Sequence, residues 1–371
     1  MSGNVLFIGL DVDDKSFHGC ALAADGKQSR EFKLRPTTAS LTKKLLDLKR
    51  EFGVAEIRVC YEATYIGYTL QRALSECGFV CEVVAPTSIP RTNGNSVKTD
   101  RIDARKLAQY YAKGLLSIVT VPDKEQEEVR DLLRTRHYIL QQLSEMRSHI
   151  QALLRRHGRH FRAESTSKTH WTPHHLCWLD RVAVESTGSF GTSLKLLVQQ
   201  MKWLVHTLGE YDKAVDELAE KPKYQKKVQA LTVYKGIKNI WAMVLISEIG
   251  DIQRFSHPAQ LASWAGLDIR EYSSGGNSNR FGITKHGNKF VRTALVEINQ
   301  KGFRSTTISG ALKTRRKNAP PEIIGIADRC HKRLYKKSFR LLMGGKHPNK
   351  VKVACAREMV GFIWESLRAA S

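Results

Sequence analysis

The sequence predicts an α/β plus α protein: a mixed-sheet α/β domain, then coiled-coil helices, then a mainly helical C-terminal domain. Three observations carry this. Strand-length apolar runs alternate with helical patterns in the first third, apolar residues spaced by three and four fill the middle third, and a helical pattern broken by one glycine-rich stretch makes the last. At 371 residues the chain exceeds what one hydrophobic core usually covers. The predicted boundaries are 1–120, 121–221 and 222–371.

In the first third, VLFIGLDV, FHGCALAA and SREFKL read as consecutive strands, the start of a meander, followed by a helix over TTASLTKKLLDLKREFG. Strand EIRVCYEA, a helix over YTLQRALSECG, strand VCEVVAP and a helix from about Asp100 to Lys113 complete a mixed sheet. From Glu125 to His157 the residues Leu133, Leu140, Leu143, Ile150 and Leu154 follow a heptad, interrupted by Arg136 and Arg147. A cleaner seam runs through Leu194, Leu197, Met201, Leu204, Leu208, Tyr211, Val215 and Leu218. Its partner is either the first long helix or another subunit, and an assembly through this seam is expected. In the last third, LTVYKGIKNIWAMVLISEIG reads as a turn around Gly236 followed by an apolar helix, and SSGGNSNRFGITKHGNKF as a glycine-rich loop.

Lys and Arg number 60 against 36 Asp and Glu, a formal charge of +24, which implies a polyanionic partner, nucleic acid before all others. The stretch from Lys301 to Lys350, with KTRRK and HKRLYKK, holds much of the excess and is expected to contact phosphates through Arg315, Arg316, Lys336 and Lys337. No apolar run approaches transmembrane length, so no membrane partner is expected. The seven cysteines are scattered without paired spacing, as expected of reduced thiols in a cytoplasmic protein.

Four carboxylates stand out. Asp11 ends one apolar strand, Glu62 ends another, and Asp100 and Asp103 sit three apart at a helix start, a spacing that puts both on one face. Phosphodiester chemistry uses such a set to hold one or two Mg²⁺ ions, with Mn²⁺ as a possible substitute. A second reading stands beside it: Asp100 as a helix N-cap, Asp103 as its N3 partner and Glu62 as a solvent-facing strand end. Asp13 shares Asp11's face of an extended strand and is an alternative ligand. His157, His160, His170, His174 and His175 with Cys177 fit no regular tetrahedral zinc spacing, and this segment is expected to be a polar insertion facing nucleic acid.

FIGLDV, YEAT, KTDRIDARKLA and LASWAGLDIREYSSGGNSNRFGITKHGNKFVRTAL, in that order over nearly the whole chain, resemble the DEDD transposases of bacterial insertion sequences. That family includes pilin-gene-type invertases and bridge-RNA-guided serine recombinases. The resemblance implies a RuvC-like RNase H-type domain with Asp11, Glu62, Asp100 and Asp103 as its metal-binding acids, and a C-terminal domain with a nucleophilic serine, Ser274, with Ser273 as runner-up. It implies double-stranded donor and target DNA and a structured non-coding guide RNA as partners, a dimer or tetramer in the synapse, and a place at the bacterial nucleoid. Two departures are visible: Tyr234-Lys235-Gly236-Ile237-Lys238 replaces a proline-glycine turn, and Gly158 to Gly191 is long and polar.

A serine hydroxyl is a poor nucleophile without help, and no histidine-aspartate pair stands near Ser274. The expected answer is a composite site, in which the serine loop works with the acids and their Mg²⁺, the loop moving on Gly275, Gly276 and Gly282 while Arg280, Lys285, Lys289 and Arg292 hold the scissile phosphate. The competing expectations are a metal-only, junction-resolvase-like nuclease and a non-catalytic nucleic-acid-binding protein. A flexible surface loop with ordinary basic residues is the plain alternative for the serine segment.

Overall fold

The computed structural model describes residues 5–86, 89, 100–274, 277–300 and 305–371, and of residues 100, 272–274 and 277–280 the backbone alone. Lys98 and Thr99 of the KTDRIDARKLA motif, Gly275 and Gly276, and the first residues of the basic stretch, Lys301 among them, lie outside the described residues. The chain divides into two compact units, Met1–Pro122 and Asp123–Ser371.

The first unit is a six-stranded mixed sheet. β1 (Val5–Val12), β2 (Phe17–Ala23) and β3 (Ser29–Leu34) form the antiparallel meander expected from the sequence. β4 (Glu56–Glu62) and β5 (Val80–Val84) extend the sheet in parallel from the other side of β1, and the short β6 (Ile118–Val119) adds antiparallel, giving the order β3-β2-β1-β4-β5-β6. β1 is covered on both faces, which is why its sequence is almost continuously apolar. Leu6, Ile8 and Leu10 are fully buried with Leu41, Leu45 and Leu48 of α1 (Thr38–Phe52) and with Leu70 and Leu74 of α2 (Thr69–Glu76). α1 starts at Thr37, whose hydroxyl accepts from the Ser40 N–H, and stops at Gly53 with φ +60°.

Residues of odd number on β1 face the other way, toward α3 (Asp100–Ala112). The ring of Phe7 meets Tyr111 edge-on at 5.5 Å. At Gly9 the helix comes so close that an added Cβ would stand 2.4 Å from both the Ala104 carbonyl oxygen and the Ala108 nitrogen.

The second unit begins with α4 (Lys124–Arg156), capped by Asp123, and continues through α5 (Phe161–Glu164) and α6 (Pro173–Glu185) to α7 (Gly188–Glu220). The seam of α7 is covered within its own subunit. Leu194, Met201 and Leu204 are buried with Ile150 and Leu154 from the end of α4 and with Leu179 and Val182 of α6, while Val215 shares a core with Val129 and Leu133 from the start of α4. The two long helices therefore run antiparallel. Leu140, placed in the α4 seam by the heptad, is 36% exposed. The segment from Gly158 to Gly191 is less of a polar insertion than its composition implied, because α6 gives Trp178, Leu179 and Val182 to this core.

α8 (Pro222–Thr232) and the apolar α9 (Asn239–Ile249) flank the turn at Gly236, which has φ +88° and whose added Cβ would meet the Ile298 carbonyl at 2.9 Å. Then follow α10 (Pro258–Trp264), the hairpin strands β7 (Ile269–Ser274) and β8 (Asn277–Ile283), α11 (Lys289–Ile298), α12 (Gly310–Arg316), α13 (Pro321–Met343) and α14 (Pro348–Ala369). Around the Gly236 turn, Lys235 stands where the resembled family has proline. Its N–H, which proline would lack, donates to Nε2 of buried His331 at 2.8 Å. The Tyr234 hydroxyl pairs with Ser366 Oγ at 2.6 Å and donates to the Phe362 carbonyl at 3.0 Å. These bonds anchor the turn to α13 and α14 without the ring of a proline.

Burial, with help from the Arg316 charge, pushes the His331 imidazole down to about 4 from 6.5, so that it accepts a hydrogen bond as the neutral base. A base held neutral in the fold stabilises it fully above pH 6.5 and loses that stabilisation as pH falls through 4. We expect urea unfolding of the wild type to weaken by about 3 kcal/mol between those limits on account of this group. His331→Gln, which keeps an acceptor and does not titrate, should flatten that part of the profile, and an unchanged slope would remove His331 as its source.

Candidate active site

The parallel register of β1 and β4 pairs Gly9 with Cys60 and Leu10 with Tyr61, so Asp11 and Glu62 are the next residues along two adjacent parallel strands. Both belong to the α3 side of the sheet. Gly9, two residues before Asp11, abuts Ala104 and Ala108, and Cys60, two residues before Glu62, directs its thiol to the Leu107 carbonyl. Phe7 lies against the end of α3 and Gly9 against its middle, so the helix runs back along β1 and brings its first turns, with Asp100 and Asp103, toward the strand ends. Asp11, Glu62 and Asp103 are each half-buried. Among the described residues no three carboxylate, imidazole or thiol groups gather closely enough to hold a metal ion, and the side chain of the fourth acid, Asp100, lies outside that description. The donor type nevertheless suits a hard divalent cation, since all four groups are carboxylates.

Asp13 differs from Asp11 in place. It follows the last residue of β1, is exposed, accepts the Lys15 N–H at 2.9 Å, and takes the Tyr65 hydroxyl at 3.3 Å. Two features escaped the sequence reading. His18 is the direct cross-strand partner of Asp11, with Nε2 at 3.1 Å from Ser16 Oγ. Arg101 and Arg105 of the DRIDAR segment, one helical turn apart, both pair with Glu31 of β3. Burial raises the Glu31 carboxyl, and the bonds from Arg105 and Arg101 outweigh it and leave the group below its ordinary value. These pairs hold the start of α3 to the sheet.

In the second unit, the segment read as a glycine-rich loop is a pair of strands on either side of its first two glycines. Ser274 ends β7 and pairs with Asn277, and Ser273 pairs with Ser278, in an antiparallel hairpin whose two intervening glycines are outside the described residues. The base of the hairpin is firmly held. Lys285 N–H donates to the Gly266 carbonyl at 3.0 Å, and Asn288 caps α11 while its amide donates to Glu248 at 2.7 Å. Glu248, buried in α9, also receives two parallel bonds from Arg134 of α4 at 2.8 and 2.9 Å.

The predicted phosphate ligands fall into two groups. Lys285, Lys289 and Lys336 are exposed, and the backbone of Arg280 lies in β8. The rest are committed to the protein. Arg292 donates to the Ala265 carbonyl at 2.8 Å, and Arg315 to the Thr232 carbonyl at 3.0 Å. Arg316 is 8% exposed, bonded to the Val233 carbonyl and to Asp328, and Lys337 pairs with Glu358. Buried guanidinium groups need such partners, and Arg316 is therefore a structural residue and not a phosphate ligand.

Compared with known proteins, the chain is 32% identical over 367 residues to "Putative transposase y4qE" of Sinorhizobium fredii, which covers 98% of this chain and 89% of that protein. A family model named for DEDD transposases of the IS110 type matches residues 8–158, and one described as "Transposase IS116/IS110/IS902 family" matches residues 228–313. The chain belongs to this transposase family. The insertion-sequence transposases of IS1533 from Leptospira borgpetersenii, 27% identical over 91% of this chain and 96% of that protein, and of IS1111A from Coxiella burnetii, 24% identical over 79% and 76%, are further relatives. The transposase is thus an enzyme with a mixed α/β unit. Its four acids fall inside the first matched span, its serines inside the second, and Lys336 beyond both. No helix among the described residues is long and apolar enough to cross a membrane.

Two expectations follow from this geometry. Gly9→Val should push α3 off β1, lowering stability by roughly 1–3 kcal/mol, and should abolish DNA cleavage by the transposase with no change of charge. A variant that melts lower and still cleaves at the wild-type rate would show that α3 is not needed there. Arg134→Met should destabilise the fold by about 3 kcal/mol, because it leaves a buried carboxylate without its cation and with the Asn288 amide still bonded to it, and Glu248→Gln by less, because half-exposed Arg134 can turn to water. Chemical denaturation of the two variants, giving the opposite order, would contradict this account.

Proposed function

We propose that the transposase cuts and rejoins DNA with Asp11, Glu62, Asp100 and Asp103 as ligands of Mg²⁺, replaceable by Mn²⁺, and Ser274 as nucleophile. A structured non-coding RNA selects donor and target, and the protein works as a dimer or tetramer at the nucleoid. The observation that carries the metal part is the shared edge: two acids at adjacent parallel strand ends, on the face of the one helix that begins with the other two. Support for Asp11 over Asp13 comes from place: Asp11 lies within β1 next to Glu62 on β4, whereas Asp13 follows the last residue of the strand and is exposed. The serine, the guide RNA and the assembly rest on the family resemblance and on the Tyr272-Ser273-Ser274-Gly275-Gly276 sequence.

In this reading Ser274 Oγ forms a bond to the scissile phosphorus and gives up its proton, the bond from phosphorus to the leaving strand oxygen breaks, and that oxygen takes up a proton. The phosphodiester count is unchanged, so a strand hydroxyl can reverse the step and reseal DNA without ATP. A divalent cation at the acids would neutralise phosphate charge and favour the deprotonated nucleophile. Lys285, Lys289 and Arg280, close in sequence to the serine, are assigned to the DNA phosphates, and Lys336 to the flanking duplex or the RNA.

Alanine at Asp11, Glu62 or Asp103 should abolish cleavage while leaving nucleic-acid binding within a few fold, because the acids act on the transition state. Ser274→Ala should in addition remove the protein-DNA adduct seen on denaturing gels with RNA and Mg²⁺ present, whereas Ser273→Ala should keep it. Full cleavage by two of the three acid variants would end the metal assignment. An undiminished adduct in Ser274→Ala, or a phosphopeptide at Ser273, would end the assignment of Ser274.

A further inference from the structure

We infer that the pocket formed by the end of α4 with α5 and α6 holds one unpaired nucleotide of a nucleic-acid strand, its base against aromatic rings and its phosphate against arginines. The site involves neither the acids nor the serine and stands independently of their assignment. The cavity is ≈ 210 Å³, the volume of about seven liquid waters, enough for a single planar base and too little for a base pair. Phe161, His175 and Trp178 form its buried aromatic wall, with ring centroids of Phe161 and His175 4.6 Å apart and His175 stacked on Trp178 at 5.7 Å. His170 completes it, 4.8 Å from His175.

Arg155, Arg159 and Arg162 line the pocket with no carboxylate among the lining residues, while Glu185 on Arg159 and Glu164 on the Trp178 indole stand behind them. Arg159 is half-buried and paired with Glu185 at 3.0 Å, so the free charge at the pocket comes from the other two arginines. Arg155 and Arg162 touch only neutral groups among the described residues, the Gln151 side chain at 3.4 Å and the Lys168 carbonyl at 3.3 Å. Burial, and the charges of Arg162 and Arg155, push the His170 imidazole below its ordinary value, and burial takes His175 down to about 4. Both rings are therefore neutral near pH 7; half-buried His170 offers the stacking face, the buried rings of Phe161, His175 and Trp178 back it, and the arginines supply the charge.

The chemistry selects among occupants. Two arginines with only neutral partners among the described residues, beside a third that is paired, suit phosphate better than a single carboxylate. An acidic peptide would leave the aromatic wall unused. A metal ion lacks its ligands, since no three imidazole, thiol or carboxylate groups converge here among the described residues. An unpaired nucleotide uses every feature, because each base has a π face and stacking is tolerant of sequence.

The test uses the full-length protein without divalent metal, so that it reads binding alone, and labelled hairpins with one unpaired nucleotide, in ribo and deoxyribo form. In matched hairpins that nucleotide is abasic. Fluorescence anisotropy should show the abasic form bound about tenfold more weakly, the worth of one base on an aromatic face. Arg155→Glu with Arg162→Glu, both at exposed positions, should erase that difference. A 5-iodouracil at the unpaired position should crosslink to a peptide within residues 151–178. A larger abasic loss in the ribo series assigns the pocket to an RNA strand, and in the deoxyribo series to DNA. Equal affinity for intact and abasic hairpins in both series, or crosslinks confined to other peptides, would overturn the proposal. Both readouts use the wild-type protein, so a variant that fails to fold does not blunt them.

Discussion

The arrangement of the first unit depends on the absence of one side chain. Gly9 lies mid-strand in β1, and α3 packs so tightly there that any Cβ would overlap backbone atoms of the helix. The contact fixes the height of α3 over the sheet, and with it the distance between the start of the helix and the strand ends. Phe7 on Tyr111, the Cys60 thiol on the Leu107 carbonyl and the pairs of Glu31 with Arg101 and Arg105 then fix its direction and rotation. A sheet edge positions carboxylates well because strand ends move little relative to one another, and α3 shares in that rigidity through backbone contact.

The second unit uses a buried charge for a comparable purpose. Glu248 would be costly to bury alone, and its partners come from two distant places in the chain: Arg134 on α4 and Asn288 at the start of α11. Arg130 and Gln126, one and two turns before Arg134, hold the carbonyls at the end of α9. The long helix is thus bonded to α9 along three of its turns, and the same carboxylate reaches the cap that follows the serine hairpin. An apolar substitute could fill the space, but it could not fix the direction of the Asn288 amide.

Much of this was legible from sequence where one physical rule dominates. The strands VLFIGLDV and SREFKL emerge with the expected extents and α4 within a residue of them, since an apolar run, an alternation and a heptad each have clear ends, whereas α7 begins at Gly188, ahead of its seam. The turn at Gly236 was legible because φ there is positive. Other features depend on contacts between distant residues and leave no local trace. The pairing of His18 with Asp11 depends on register, the hairpin at Ser274 lacks apolar alternation, and the α7 seam has the same heptad whether its partner is α4 or another subunit.

Charge was the feature most easily misjudged from composition. In the basic C-terminal stretch, runs such as KTRRK imply a uniform phosphate-binding face, yet helical periodicity rotates successive cations by about 100°, so that some are buried and others exposed. Arg316 goes inward to Asp328 and the Val233 carbonyl while Lys317 stays in water, and Lys337 pairs with Glu358 while Lys336 does not. The inward members are held by part-exposed carboxylates and by backbone carbonyls of the same unit, so they serve stability. The electrostatic footprint on a nucleic acid is consequently sparser than a count of Lys and Arg implies, and it is set by helix phase, residue by residue.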